Sequence, residues 1–258
     1  MGTVTILNVK IDNISKNDLL DNLKSGGTVF TPNIDHIVKL QNDRDFCRAY
    51  DSADYRVCDS QILLYVSRLL NKPIQEKISG SDFFSVFYEH YKDEPDIKIF
   101  LLGAAEGVAA KAQKRINEKV GREMVVSAHS PSFGFEKSDE ESQEIINLIN
   151  ESGATVLAIG VGAPKQEKWL YQYKHQLKTV KVILAVGATI DFEAGNLQRA
   201  PKWMSELGLE WVHRLTTEPK RLWKRYLIDD VSFFWLLLKD LLSPGLSIPT
   251  RQAVKNRQ

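Results

Sequence analysis

Cysteine is nearly absent. Cys47 and Cys58 are the only two in 258 residues, with no metal-ligand spacing and no neighbouring histidine. A disulfide framework and a structural zinc site are thereby excluded, and the pair reads as ordinary buried thiols of a reducing compartment. No run reaches the roughly 18 uninterrupted apolar residues that a membrane span needs. The N-terminal MGTVTILNVKIDN has no basic segment followed by an apolar run, so no signal peptide is expected. The dinucleotide fingerprint G-x-G-x-x-G, with an acid after the next strand, is also missing. A net charge of +1 removes bulk charge as an argument for nucleic-acid binding. With 43% hydrophobic residues, neither disorder nor a mini-fold is an option.

The neutral total hides an asymmetry. From Arg199 to Gln258 there are 11 Lys/Arg against 6 Asp/Glu, a net +5, and the rest of the chain carries −4. A basic C-terminal quarter fits either an anionic partner or a solvated helix face. Upstream, short apolar runs alternate with amphipathic stretches. The runs predict strands at Val4–Val9, Thr28–Thr31, Tyr55–Cys58, Ile97–Leu102, Met124–Ala128, Thr155–Ile159 and Lys181–Val186. The stretches predict helices at Asn33–Tyr50, Gln61–Leu70, Asp82–Tyr91, Gly107–Val120, Asp139–Asn150 and Pro164–Lys174. Near-continuously apolar strands spaced by helices predict a Rossmann-like α/β unit, its mostly parallel sheet covered by helices on both faces. From Pro201 onward the pattern is helical only. The expected division is therefore a catalytic sheet domain, 1–198, and a helical appendage, 199–258.

In such a sheet, ligands bind outside the carboxyl ends of the strands. Those ends carry Thr31-Pro32-Asn33, Asp59-Ser60, Gly103-x-x-x-Gly107, Gly160-x-Gly162-Ala163-Pro164-Lys165-Gln166-Glu167 and Gly187-x-x-x-Asp191. Each is also what a tight turn requires; their gathering on one edge is the functional signal. The glycine loops open helices and would offer free N–H groups to an anion, with Pro164 at a first helical position, Lys165 toward a phosphate and Gln166 toward a base or sugar.

These residues occur in a telling order. Thr31-Pro32-Asn33, Ala53-Asp54…Asp59, Ser79-Gly80-Ser81-Asp82, Gly160 to Glu167 and Arg199-Ala200-Pro201 are followed by Gly208-Leu209-Glu210-Trp211…Arg214…Glu218-Pro219-Lys220-Arg221…Arg225-Tyr226. From about Asn8 to Leu227 the chain resembles the WecG/TagA/CpsF glycosyltransferases, glycosyltransferase family 26. The resemblance implies inverting sugar transfer, without a cofactor, from a UDP-sugar to a polyprenyl-diphosphate-linked sugar. That reaction takes place at the cytoplasmic membrane surface and serves teichoic-acid, capsule or exopolysaccharide synthesis. It implies Asp59 as general base with Thr31 and Asn33 near the donor. Lys77, Gly103, Gly107, Gly160, Gly162, Lys165, Gln166, Glu167 and Asp191 become candidate donor contacts. Without the resemblance, Asp59 reads more readily as a helix N-cap.

Two positions depart from the family pattern: Ser60 stands where Gly commonly follows the acid, and Lys77 stands where Arg is usual. Both bear on which sugar is used, N-acetylmannosamine, its uronic acid or glucose. Many glycosyltransferases hold a divalent ion with an Asp-x-Asp pair; no such pair is expected here, and Asp229-Asp230 lies in the tail, far in sequence from the strand ends. No metal is expected, and cationic side chains must stabilise the leaving diphosphate. Arg214, Glu218, Arg221 and Arg225, spaced 4, 3 and 4, predict one helical face bearing a three-arginine clamp. Beyond it, Ile228–Leu242 has the composition of an interfacial membrane helix or of an oligomer contact. Rival readings are an NAD-dependent nucleotide-sugar enzyme and a non-catalytic membrane adaptor.

Overall fold

The computed structural model describes residues 2–242. Its centre is a six-stranded, wholly parallel sheet of β3 (Gly27–Phe30), β4 (Tyr55–Arg56), β5 (Ile99–Gly103), β6 (Val125–His129), β7 (Val156–Gly160) and β8 (Val182–Ala185), in the order β4-β3-β8-β7-β5-β6. Side chains alternate between faces along a strand, and here the alternation builds two cores. Phe100, Leu102, Leu157, Ile159 and Ile183 enter one; Ile99, Leu101, Val156, Ala158, Val182 and Leu184 enter the other. With both faces covered, the central strands have no solvent side, which is why their sequence is continuously apolar.

The first core is covered by α2 (Ile34–Lys39), α3 (Arg44–Asp51), α4 (Gln61–Leu69), α7 (Asp139–Glu151) and α8 (Lys165–Tyr173). The second lies under α1 (Lys16–Leu23), α5 (Gly80–His90), α6 (Val108–Val120) and α9 (Thr189–Glu193). The connection after β5 runs toward β6 and the one after β7 runs the other way, toward β8. The β5/β7 boundary is thus a switch point, with Gly103 and Gly160 as register partners.

Three expectations need correction. Val4–Val9 is not a strand of the main sheet but most of a separate antiparallel hairpin, β1 (Gly2–Ile6) and β2 (Val9–Asn13). It reverses at Leu7-Asn8, both with positive φ, 46° and 62°, as a tight two-residue hairpin demands. The helix expected over Asn33–Tyr50 breaks in two, because the Asp43 side chain accepts from Phe46 N–H (2.9 Å) and caps a new start. Pro164 precedes α8 rather than occupying its first turn, after a cis Ala163–Pro164 bond. The short helices α1 and α9 had no expectation attached.

The tail is helical: α10 (Lys202–Glu206), α11 (Glu210–Thr217), α12 (Pro219–Lys224), a π turn over Arg225–Asp229 and α13 (Val231–Leu242). Its arginines do not share one helical face. The path breaks at Glu218 (φ −131°, ψ 54°), where the following proline disfavours helical geometry. Phe233 and Leu237 of α13 are buried in the first core, so the tail packs on the sheet unit as part of its interior. Residues 243–258, the end of the basic quarter, lie outside the described residues.

Candidate active site

Two cavities meet beside Asp59. One, polar and about 290 Å³, lies at the carboxyl ends of β3, β4, β7 and β8 and is walled by Thr31, Asn33, Gly162, Gln166 and Gly187, with Arg214, Arg221 and Arg225 from the tail. The other, largely apolar and about 310 Å³, runs between the start of α4 and the tail, past Ile34, Ile62, Lys77, Trp211, Tyr226, Leu227, Val231 and Phe234. Asn33, Asp59, Glu210, Arg214 and Arg225 border both.

Asp59 is held by its backbone, whose N–H donates to the Pro32 carbonyl (2.9 Å), extending the β3–β4 pairing beyond the strand ends. The N-cap alternative falls away: Ser60 caps α4, its hydroxyl accepting from Leu63 N–H (3.2 Å). That is also what the departure from glycine at this position does. The Asp59 carboxyl, partly buried and opening on the cavities, is pushed up to about 8. Burial is the main cause and the Glu210 carboxylate adds to it; Lys77, the Gly80 N–H and Arg214 oppose.

Thr31 and Asn33 are fixed just as locally. The Thr31 hydroxyl donates to the Ala185 carbonyl (3.3 Å), and Gly80 packs so close that a Cβ there would sit 3.3 Å from Thr31 Oγ1. Asn33 caps α2; its Oδ1 lies 2.9 Å from His36 Nδ1 and accepts from Arg225 (3.4 Å). Gln166 accepts from Gly162 N–H (3.2 Å) and donates to Glu167 (2.8 Å).

Arg221 pairs with Glu218, and Arg225 stands 3.8 Å from Asp35. The buried Nε atoms of Arg214 and Arg225 make no hydrogen bond, and that of Arg225 faces the Asp35 and Asp230 carboxylates at 3.8 and 3.9 Å.

Several expected contacts lie elsewhere. A Cβ on Gly103 would come within 2.5 Å of the Gly160 carbonyl oxygen, and one on Gly160 within 2.4 Å of that of Gly187. These two glycines let the strand ends approach one another, a packing role rather than a ligand contact. Gly107 caps α6 with φ 75° and borders neither cavity. Lys165 turns away to Glu136 (3.4 Å) and the Phe133 ring. Glu167 is fully buried, 3.5 Å from His36 Nε2. Asp191 sits half-buried on α9, its carboxyl raised by burial and lowered by Arg221. Lys77 lines the apolar cavity alone, 3.5 Å from Glu210.

Contrary to expectation, one Asp-x-Asp run does occur, Asp43-Arg44-Asp45, at the start of α3 and not at a strand end. Asp43 caps α3 and pairs with Lys168 (2.7 Å), while Asp45 pairs with Arg48. Among the described residues no cluster of His, Cys, Asp and Glu is placed to hold a metal ion. Sequence reasoning assigned no role to Glu210, Trp211 or Tyr226, although the first two stand in the Gly208–Trp211 block that signalled the family.

The profile of the Glycosyl transferase WecG/TagA/CpsF family matches residues 4–246. The chain belongs to that family. Similar proteins include the N-acetylglucosaminyldiphosphoundecaprenol N-acetyl-beta-D-mannosaminyltransferases of Bacillus subtilis (strain 168), 28% identical over 88% of each chain, and of Bacillus spizizenii, 31% identical over 73% of this chain and 69% of its own. The enzyme of that name from Staphylococcus aureus (strain MRSA252) is 26% identical over 85% of this chain and 86% of its own. The protein is a glycosyltransferase, and the nicotinamide-dependent and adaptor readings are set aside. The two cavities differ in character, one lined by three arginines and one largely apolar, and the Asp59 and Glu210 carboxyls border both.

Proposed function

We propose that this glycosyltransferase moves N-acetylmannosamine from UDP onto the sugar of a polyprenyl-diphosphate-linked N-acetylglucosamine, with inversion and without a metal ion. The supporting observation is that Asp59, just past the end of β4, borders both cavities, while Glu210, the other carboxyl that does so, is paired with Lys77 at 3.5 Å. The polar cavity takes the UDP-sugar. Asp59 accepts the acceptor hydroxyl proton as that oxygen attacks the anomeric carbon from the face opposite UDP. The bond from that carbon to the β-phosphate oxygen breaks, and the charge developing on UDP falls to Arg214, Arg221 and Arg225. The proton remains on Asp59 and the new linkage has the opposite anomeric configuration. Thr31, Asn33, Gly162 and Gln166 shape the donor side. The names of the relatives favour N-acetylmannosamine over its uronic acid or glucose.

The division near residue 198 belongs to the same proposal: the sheet domain binds the donor and residues 199–258 complete the site and bring the enzyme to the inner face of the cell membrane. No helix among the described residues is long and apolar enough to cross a membrane. The tail nevertheless exposes Leu227, Ile228, Val231, Trp235, Leu238 and Leu242, an apolar strip beside basic residues that suits an interfacial position. A second copy of the chain would suit the same strip.

Released UDP, measured for each of the three UDP-sugars with and without a polyprenyl-diphosphate N-acetylglucosamine, tests the reading. Release should require both partners, be greatest with UDP-N-acetylmannosamine, and be unchanged by EDTA or added magnesium. Acceptor-independent release, or a large reversible loss on chelation, would overturn it.

A further inference from the structure

The apolar cavity has an inner and an outer end. Its inner end is polar: Asp59, Glu210 and Lys77, whose ammonium is 3.5 Å from the Glu210 carboxylate. Leu227, Val231 and Phe234, which line its other side, are 54%, 54% and 50% exposed and so carry its apolar wall out to the protein surface. Phe234 is seated edge-on against the fully buried Phe233, and Trp211 lies 6.0 Å from Tyr226. These rings are held by packing. The exposed apolar surface runs on from this wall through Trp235 and Leu238 of the same helix. A cavity polar where it meets the arginine-lined one and apolar toward solvent fits a ligand of the same polarity order, a sugar diphosphate followed by hydrocarbon.

Resting on the functional reading above, we infer that this cavity is a dedicated subsite for the sugar-proximal part of the lipid acceptor: Lys77 meets the acceptor's diphosphate and the Trp211–Tyr226–Phe234 wall takes its first isoprene units. At about 310 Å³ the space admits only the head of a polyprenyl chain. The remainder leaves past Leu227 and Val231 toward the exposed strip. Lys77 therefore serves the acceptor and not the donor, in keeping with its absence from the polar cavity. The enzyme then recognises lipid by direct contact, separately from any gain through residence on a membrane.

Soluble acceptors test this without vesicles or detergent. N-acetylglucosamine diphosphate esters bearing a methyl group, one isoprene unit, two or three are compared below their critical micelle concentrations. Each buried methylene strengthens binding about fourfold. Against a half-exposed wall the first one or two units bury about two to three methylenes' worth of surface, so the KM for acceptor should fall on the order of 10- to 100-fold and then level off. The KM for UDP-sugar should stay constant along the series. Phe234→Ser, at a half-exposed position, should flatten the dependence, and Lys77→Met should raise the KM for every acceptor while sparing that for the donor. Transfer that is indifferent to tail length, or that gains from the tail only when vesicles are added, overturns the subsite and leaves the transfer reaction standing. No transfer to any acceptor overturns the functional reading and this inference with it.

Discussion

Asp59→Asn should abolish nearly all transfer, by roughly two to four orders of magnitude, the range expected for loss of a general base. The substitution keeps shape and removes only the ability to take a proton, so UDP should bind about as well as before. Stability should move the other way. In the unfolded chain this carboxyl ionises near the ordinary 3.8, and in the folded protein near 8. Between those values the folded state holds a proton that the unfolded state has lost, so Asp59 makes stability fall as pH rises across the window. The asparagine variant escapes that penalty. It should melt several degrees above the parent at pH 8.5, with the gap closing as pH approaches 4. An inactive variant of unchanged melting behaviour at high pH would mean that Asp59 is better solvated than its surroundings indicate. Near-normal turnover would place the base elsewhere.

Single substitution of the tail arginines is expected to be nearly as damaging. Replacing Arg214, Arg221 or Arg225 by Ala should each cost about 2–4 kcal/mol of transition-state stabilisation, or roughly 30- to 1,000-fold in rate. Arg214 should be the most sensitive: like Arg225 it borders both cavities, but Arg225 has the Asp35 and Asp230 carboxylates at 3.8 and 3.9 Å and Arg214 has no ion pair among the described residues. Arg221 already has the Glu218 carboxylate and should be the least. Arg214→Lys should recover only part of the loss, because a lysine supplies the charge without the planar fork that a diphosphate accepts. Single-turnover rates at saturating donor separate this from weaker binding. Arginine variants that lose less than threefold in that rate would dissociate the tail from leaving-group stabilisation. Point substitutions are the cleaner probe here, since deleting the tail would also uncover the core that Phe233 and Leu237 fill.

How much of this was legible beforehand follows from what each signal encodes. The strands β5, β7 and β8 were readable because burial on both faces leaves no polar position to confuse them. The hairpin was misplaced because Val4, Ile6, Val9 and Ile11 are equally apolar; only the alternation and Asn8 mark a one-sided strand pair. Asp59 could be located at a strand end but not released from a capping role, since either of two adjacent residues, Asp59 or Ser60, could have capped α4. Only coordinates show Ser60 doing so. The arginine spacing implied a single helix; Pro219 broke it, yet all three arginines still border the polar cavity because the chain folds back over the sheet edge. Gly103 and Gly160 illustrate the opposite failure. Their sequence context suggested phosphate contact, whereas carbonyls of neighbouring strand ends occupy the space. Glu210 was out of reach, because an acid's effect on a distant carboxyl depends on a tertiary contact that no local pattern records.

The pH dependence of kcat/KM tests most directly whether Asp59, and not its neighbour Glu210, is the base. Asp59 works only when deprotonated, so the rate should rise with pH and reach its half-maximum near 8. Glu210→Gln removes the negative charge that helps hold the Asp59 proton, so its limb should shift to lower pH. Lys77→Met removes an opposing positive charge and should shift it higher. A limb near 8 that moves in these two directions is the predicted result; a profile flat from pH 5 to 9, or one unmoved by either substitution, would contradict it.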